Sequence, residues 1–103
     1  MIGVKQAVNN ALKYFQDLYE QDLLNKKLSD LRLEEVELSD DEKYWFVTIG
    51  YTRALPDDSP LANILPAPIP KTTTPIEEYK IFKIDSTSGT VRAMKIREPL
   101  AQL

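Results

Sequence analysis

Few residues in this chain are of types that do chemistry. Carboxylates gather at Asp40, Asp41 and Glu42, at Asp57 and Asp58, and at Glu77 and Glu78, while hydroxyls gather in "DSTSG", Asp85 to Gly89. Paired carboxylates can divide general-acid and general-base duties when a fold holds them close together. A serine or threonine hydroxyl becomes a nucleophile only beside an activating base. The usual base is missing, because the 103 residues include no histidine and no cysteine. Serine triads, thiol nucleophiles and most zinc sites therefore lose a customary member.

The clusters that remain read more simply as solvated turns. None has the alternating oxygen ligands, central glycine and distal glutamate of a calcium loop. With glycine only at positions 3, 50 and 89, a dinucleotide loop has no material. The hydroxyl cluster lacks the G-x-x-x-x-G-K-[ST] pattern of a phosphate cradle, and no helix follows it. It fits a hairpin corner: a type I turn on Thr87 and Ser88, Gly89 in the left-handed region forming a bulge, and Asp85 accepting a backbone N–H two residues on. No catalytic residue, cofactor or metal is expected.

The elements that place these groups follow from periodicity. Val4, Val8, Ala11, Phe15 and Leu18 step by four, three, four and three, drawing one stripe down a helix that Leu12, Tyr19 and Leu23 widen. The predicted helix covers about 3–26. "LRLEEVEL", 31–38, changes parity between Leu33 and Val36, so a strand there needs a bulge near Glu34 and Glu35 or a later start. After the polar "SDDEK" comes a strand over 43–53, with Trp45, Val47, Ile49 and Tyr51 on one face and Tyr44, Phe46, Thr48 and Thr52 on the other.

Composition then shifts. Residues 54–75 hold six of the seven prolines, which exclude helix interior and central strand, so a long loop is expected there. Two closing strands, 77–85 and 90–97, flank the glycine corner. The whole reads as a single α+β domain, 1–103: an N-terminal amphipathic helix on a four-stranded antiparallel sheet, with the proline-rich loop between strands two and three.

Within that frame, "YKIFKIDSTSGTV", Tyr79 to Val91, resembles the closing hairpin of PepSY domains, and the helix and "YWFVTI" strand are similar to the cystatin-like arrangement. The resemblance implies peptidase modulation and peptide or protein binding outside the cytoplasm. The residues themselves suggest a cytoplasmic protein, since the opening stretch has no apolar core of the kind an export signal needs. The longest apolar run, Tyr44 to Val47, is far short of the ~20 residues that span a bilayer, so no membrane partner is expected. Net charge is −3, with ten acidic and seven basic side chains in residues 1–53, which argues against nucleic acid.

Counting outward from Asp85 along an unbroken hairpin, Phe82, Ile84, Val91 and Ala93 share one face, and Tyr79, Ile81, Met94 and Ile96 the other. One helix covers one face of a sheet, leaving the second for the loop, another copy or a partner. The expected interaction surface is Tyr79, Ile81, Met94 and Ile96, bordered by Ile64, Leu65 and Ile69 of the loop, rimmed by Lys83, Lys95 and Arg97, and extended by Tyr44 and Phe46. The function expected is a non-enzymatic protein- or peptide-binding module, with a homodimer through the sheet as one form. The alternatives are a small enzyme or small-molecule binder with a pocket between helix and sheet, and an antitoxin or immunity-type inhibitor.

Overall fold

The computed structural model describes residues 1–54 and 76–97. Most of the proline-rich segment, with Ile64, Leu65, Ile69, Asp57 and Asp58, lies outside the described residues.

Helix α1 spans Val4–Leu18 and buries Ala7, Ala11 and Phe15 against the sheet. The helix expected over 3–26 breaks at Tyr19, and a short second helix, α2, follows at Glu20–Leu24. The break keeps the chain on the core. The Tyr19 ring stacks on Phe15 at 4.7 Å, and Leu23, one turn later, still packs against the buried cluster.

Strand β1, Leu28–Leu38, pairs with β2, Tyr44–Arg53, which pairs with β3, Ile76–Asp85, which pairs with β4, Val91–Arg97, all antiparallel. The fold is therefore α+β: a helix on an open four-stranded meander. β1 starts three residues before the expected Leu31, because Leu28 is buried and pairs with Arg53. An irregularity between Ser29 and Arg32, with Asp30 at φ 58, hides that start from a period-2 reading. The bulge expected near Glu34 is present: Leu33 pairs with Ile49 and Glu35 with Thr48, leaving Glu34 over.

On the helix side, Phe15 meets Tyr51 at 5.0 Å and Phe82 at 6.4 Å between ring centroids. Val47, Ile49 and Ile84 complete the interior. Burying one such side chain contributes roughly 1.5–3 kcal/mol, so this aromatic knot dominates the packing.

The β3–β4 corner departs from the expected three-residue turn. Asp85 N donates to Thr90 O at 2.8 Å, so four residues, Ser86 to Gly89, make the loop, and the Gly89 N–H donates to Asp85 O at 2.8 Å. Gly89 has φ 77, the left-handed value expected of it. The bulge sits inside β4 instead: Ile84 pairs with Val91 and Lys83 with Ala93, leaving Arg92 unpaired.

That corner anchors the start of the chain. Ile2 N donates to Ser86 O at 2.7 Å, Trp45 Nε1 to Ile2 O at 3.2 Å, and Asn10 Nδ2 to Gly89 O at 2.9 Å. Ser86 also ties the two hairpin corners together, its Oγ donating to Glu42 O at 2.6 Å and its N to Lys43 O at 2.9 Å.

Candidate interaction surface

A bulge exchanges faces for every residue beyond it. Because Arg92 is the extra residue, Met94 pairs with Phe82 and Ile96 with Lys80, which puts both on the helix side. Met94 packs against the core, and Ile96, 72% exposed, lies at the margin that α1 leaves uncovered. The expected grouping of Met94 and Ile96 with Tyr79 and Ile81 is thus divided between the two faces. Ala93 moves the other way, opposite Lys83.

Register fixes the open face in rows. Glu35, Thr48, Ile81 and Lys95 form one row from β1 to β4; Glu37, Phe46, Lys83 and Ala93 form the next. On the other side lie Arg32, Gly50, Tyr79 and Arg97. Tyr44 pairs with Asp85 on this same face, so Tyr44 and Phe46 do extend the surface that holds Ile81.

The centre is a shallow depression of about 260 Å³ lined by Glu35, Glu37, Phe46, Thr48, Ile81 and Arg97. Arg97 reaches from β4 to β1, where its Nη1 lies 2.8 Å from Glu35 Oε2. The side chains around Thr48 leave it only 4% exposed. Gly50 has a local reason to lack a side chain: a Cβ there would meet Glu34 Oε1 at 2.5 Å. Glu34 instead lies over the bare backbone and receives Arg32 Nε at 2.9 Å. Lys83 Nζ sits 4.1 Å above the Tyr44 ring centroid, a cation held by the ring face.

Charge is sorted across this face. β1 contributes Glu34, Glu35 and Glu37 against Arg32, β4 contributes Lys95 and Arg97, and the two strands between them carry Phe46, Thr48, Tyr79, Ile81 and Lys83. Lys95 and Arg97 belong to the expected basic rim. Glu35, Glu37 and Thr48 were not singled out from sequence, although the "EVE" alternation places two glutamates together on whichever face Val36 leaves.

Among the described residues, the carboxylate and hydroxyl clusters are engaged in local structure. Glu77 and Glu78 point to opposite faces: Glu77 Oε1 lies 3.8 Å from Arg32, and Glu78 receives Tyr51 Oη at 2.8 Å and Arg53 Nε at 2.5 Å. Arg53 first, and Tyr51 after it, hold the Glu78 carboxyl below the usual glutamate range against an opposing burial effect. Burial, reinforced by Glu78, pushes the Tyr51 hydroxyl well above the ordinary tyrosine value, so it remains a donor. Asp41 Oδ1 accepts from Ser39 Oγ at 2.7 Å and Lys43 N at 3.0 Å. The backbone N–H groups of Ser88 and Thr87, which a phosphate would need, donate to Asp85 Oδ1 at 3.0 and 2.8 Å and lower its pKa. Among the described residues no three carboxylates gather as a metal would require, and no helix is long and apolar enough to cross a membrane.

The Glu78 cluster yields a pH prediction. A carboxyl whose folded pKa lies below its unfolded value of about 4.3 contributes stability that is present above that value and lost as pH falls through the folded pKa. Melting temperature is expected to decline below about pH 4.3, and Glu78→Gln to flatten part of that decline. An unchanged acid limb in the variant would remove Glu78 as its source.

No protein-family model, curated protein or solved structure matches this chain.

Proposed function

We propose that this protein is a small non-enzymatic module that binds a protein or peptide on the open face of its sheet. The observation that carries the reading is the character of that face. Phe46, Tyr79 and Ile81 lie on the two central strands beside Lys83, between an acidic strand and a basic one joined by the Glu35–Arg97 pair, and no other element among the described residues lies over them. Apolar side chains with a polar rim are the usual anatomy of a protein-binding patch. Between helix and sheet the interior is filled by Phe15 against Tyr51 and Phe82, and an open groove of about 290 Å³ runs along its edge between α1 and Gly89 to Val91. The resemblance of Tyr79–Val91 to a PepSY hairpin supports the same class of function.

Selection of a displayed random-peptide library against the intact chain tests the proposal. Enriched peptides are expected to lose at least ~10-fold in affinity on Ile81→Lys, because the substitution buries a charge at the patch centre. Circular dichroism should show the variant folded, since Ile81 points away from the core. Peptides that bind parent and variant equally would place recognition elsewhere.

A further inference from the structure

Apart from the open face, we infer that the outer edge of β4 takes an extended segment of another protein as a fifth strand, and that this segment alternates apolar with acidic side chains. β4 ends the order β1-β2-β3-β4, and no described element lies beyond it. Every second residue of an edge strand turns its N–H and C=O outward, where an added strand can pair with them. Past the bulge at Arg92, β4 keeps one register from Ala93 to Arg97. The opposite edge is blunted. β1 shifts register between Ser29 and Arg32 and again between Leu33 and Glu35, and Asp30 stands at φ 58.

Helix α1 leaves room for such a strand. Between Asn10 and Tyr14 on the helix and Val91 on β4 lies an open groove of about 290 Å³. Further along β4 on the same side, Ile96 is 72% exposed, and Tyr14 and Leu18, one turn apart on α1, are exposed as well. A strand laid beside β4 sends alternate side chains into this uncovered flank.

The two sides of β4 dictate the chemistry of its partner. Met94 and Ile96 lie on the helix side, Lys95 and Arg97 on the open side. Side chains opposite one another on paired strands share a face, so apolar residues of the segment come beside Met94 and Ile96, and acidic ones beside Lys95 and Arg97. Arg97 already holds Glu35 at 2.8 Å, whereas Lys95 makes no ion pair with another described residue. The cations also select against β4 of a second copy, which would set two strands bearing Arg92, Lys95 and Arg97 side by side. β1 of a second copy is acidic, but joining β4 to β1 repeats without closure and has to use the blunted edge.

The probe is a short synthetic peptide of alternating leucine and glutamate, labelled for fluorescence anisotropy and titrated with the whole chain. It is expected to bind with a dissociation constant on the order of 10 μM, and the same peptide with lysine in place of glutamate about 10-fold more weakly or worse. Lys95→Glu should weaken the acidic peptide about 10-fold and Ile96→Ser about fivefold; both side chains are exposed, so neither change disturbs the core. N-methylation of alternate backbone nitrogens in the peptide identifies strand pairing. One set of methyl groups blocks the bonds to β4 and should cost about 10-fold or more, while the other set points to solvent and costs little.

No saturable binding up to about 1 mM overturns the inference, as do equal losses from the two methylation patterns, a lysine peptide that binds as well, or indifference to both substitutions. Oligomers of the parent that the peptide dissolves in sedimentation would make the chain's own β1 the occupant and overturn a foreign one. Phe46→Ala separates this edge from the open face, because Phe46 lies two strands away from β4. Peptide bound at the edge keeps its affinity within about threefold in that variant, and a larger loss would place the peptide on the open face instead.

Discussion

Phe15→Ala is expected to remove about 3–5 kcal/mol of stability, a large share of what a domain of this size possesses. Phe15 is fully buried and touches three other rings, Tyr19, Tyr51 and Phe82. Truncation would leave a cavity walled on one side by β2 and β3, which are paired along their whole length and have little freedom to close it. Urea unfolding followed by Trp45 fluorescence gives the number directly. A loss below about 1 kcal/mol would mean that the helix is not seated as described.

Gly89→Val should follow at about 2 kcal/mol or more, from two causes that act at one atom. The backbone has φ 77, where a Cβ is opposed by its own carbonyl and a branched one more so. That Cβ would also stand 2.7 Å from Asn10 Nδ2, so the helix would have to release its hydrogen bond to Gly89 O. Asn10→Ala separates the causes, since it removes the bond alone and should cost about 1 kcal/mol. Equal melting of Gly89→Val and the parent would show that the corner tolerates another geometry.

How much of this was legible before the structure depends on whether a pattern had a single reading. The helix stripe did in its middle, where Ala11 and Phe15 are buried and Val8 packs against the core, whereas Val4 and Leu18 at its ends are exposed and the buried Ala7 was not part of it. β2 did as well, with Val47, Ile49 and Tyr51 inward and Tyr44, Phe46 and Thr48 outward. In β1 the change of parity between Leu33 and Val36 marked a bulge, because Glu34 and Glu35 are polar and only one phase fits each side. β4 offers no such contrast. Val91, Ala93, Met94 and Ile96 are apolar in both phases, so the bulge at Arg92 left no trace in hydropathy, and Met94 and Ile96 were assigned to the wrong face.

The break at Tyr19 was invisible for a different reason. Tyr19 is as helical in its spacing as Leu18 or Leu23, and only the ring contact with Phe15 and the need to feed β1 decide against continuation. At the open face, Tyr79, Ile81, Tyr44 and Phe46 were recoverable from alternation. The Glu35–Arg97 pair was not, because it joins residues in the first and last strands, and only strand order brings them together.

The attachment of residues 2 and 10 to the last hairpin has a consequence for how the protein is made. Synthesis proceeds from the N-terminus, so α1 emerges well before its landing site exists. β2 supplies Tyr51 and Val47 first, enough to receive Phe15. Phe82, Ser86 and Gly89 follow only after β3 and the final corner have been translated. Until then Ile2 and Asn10 have no partner, and the N-terminal turn of the helix stays unmoored above a half-built sheet. Helix α1 thus precedes its landing site in synthesis and is the last element of this fold to be fully fastened, and its apolar face needs shelter until the final hairpin has been made.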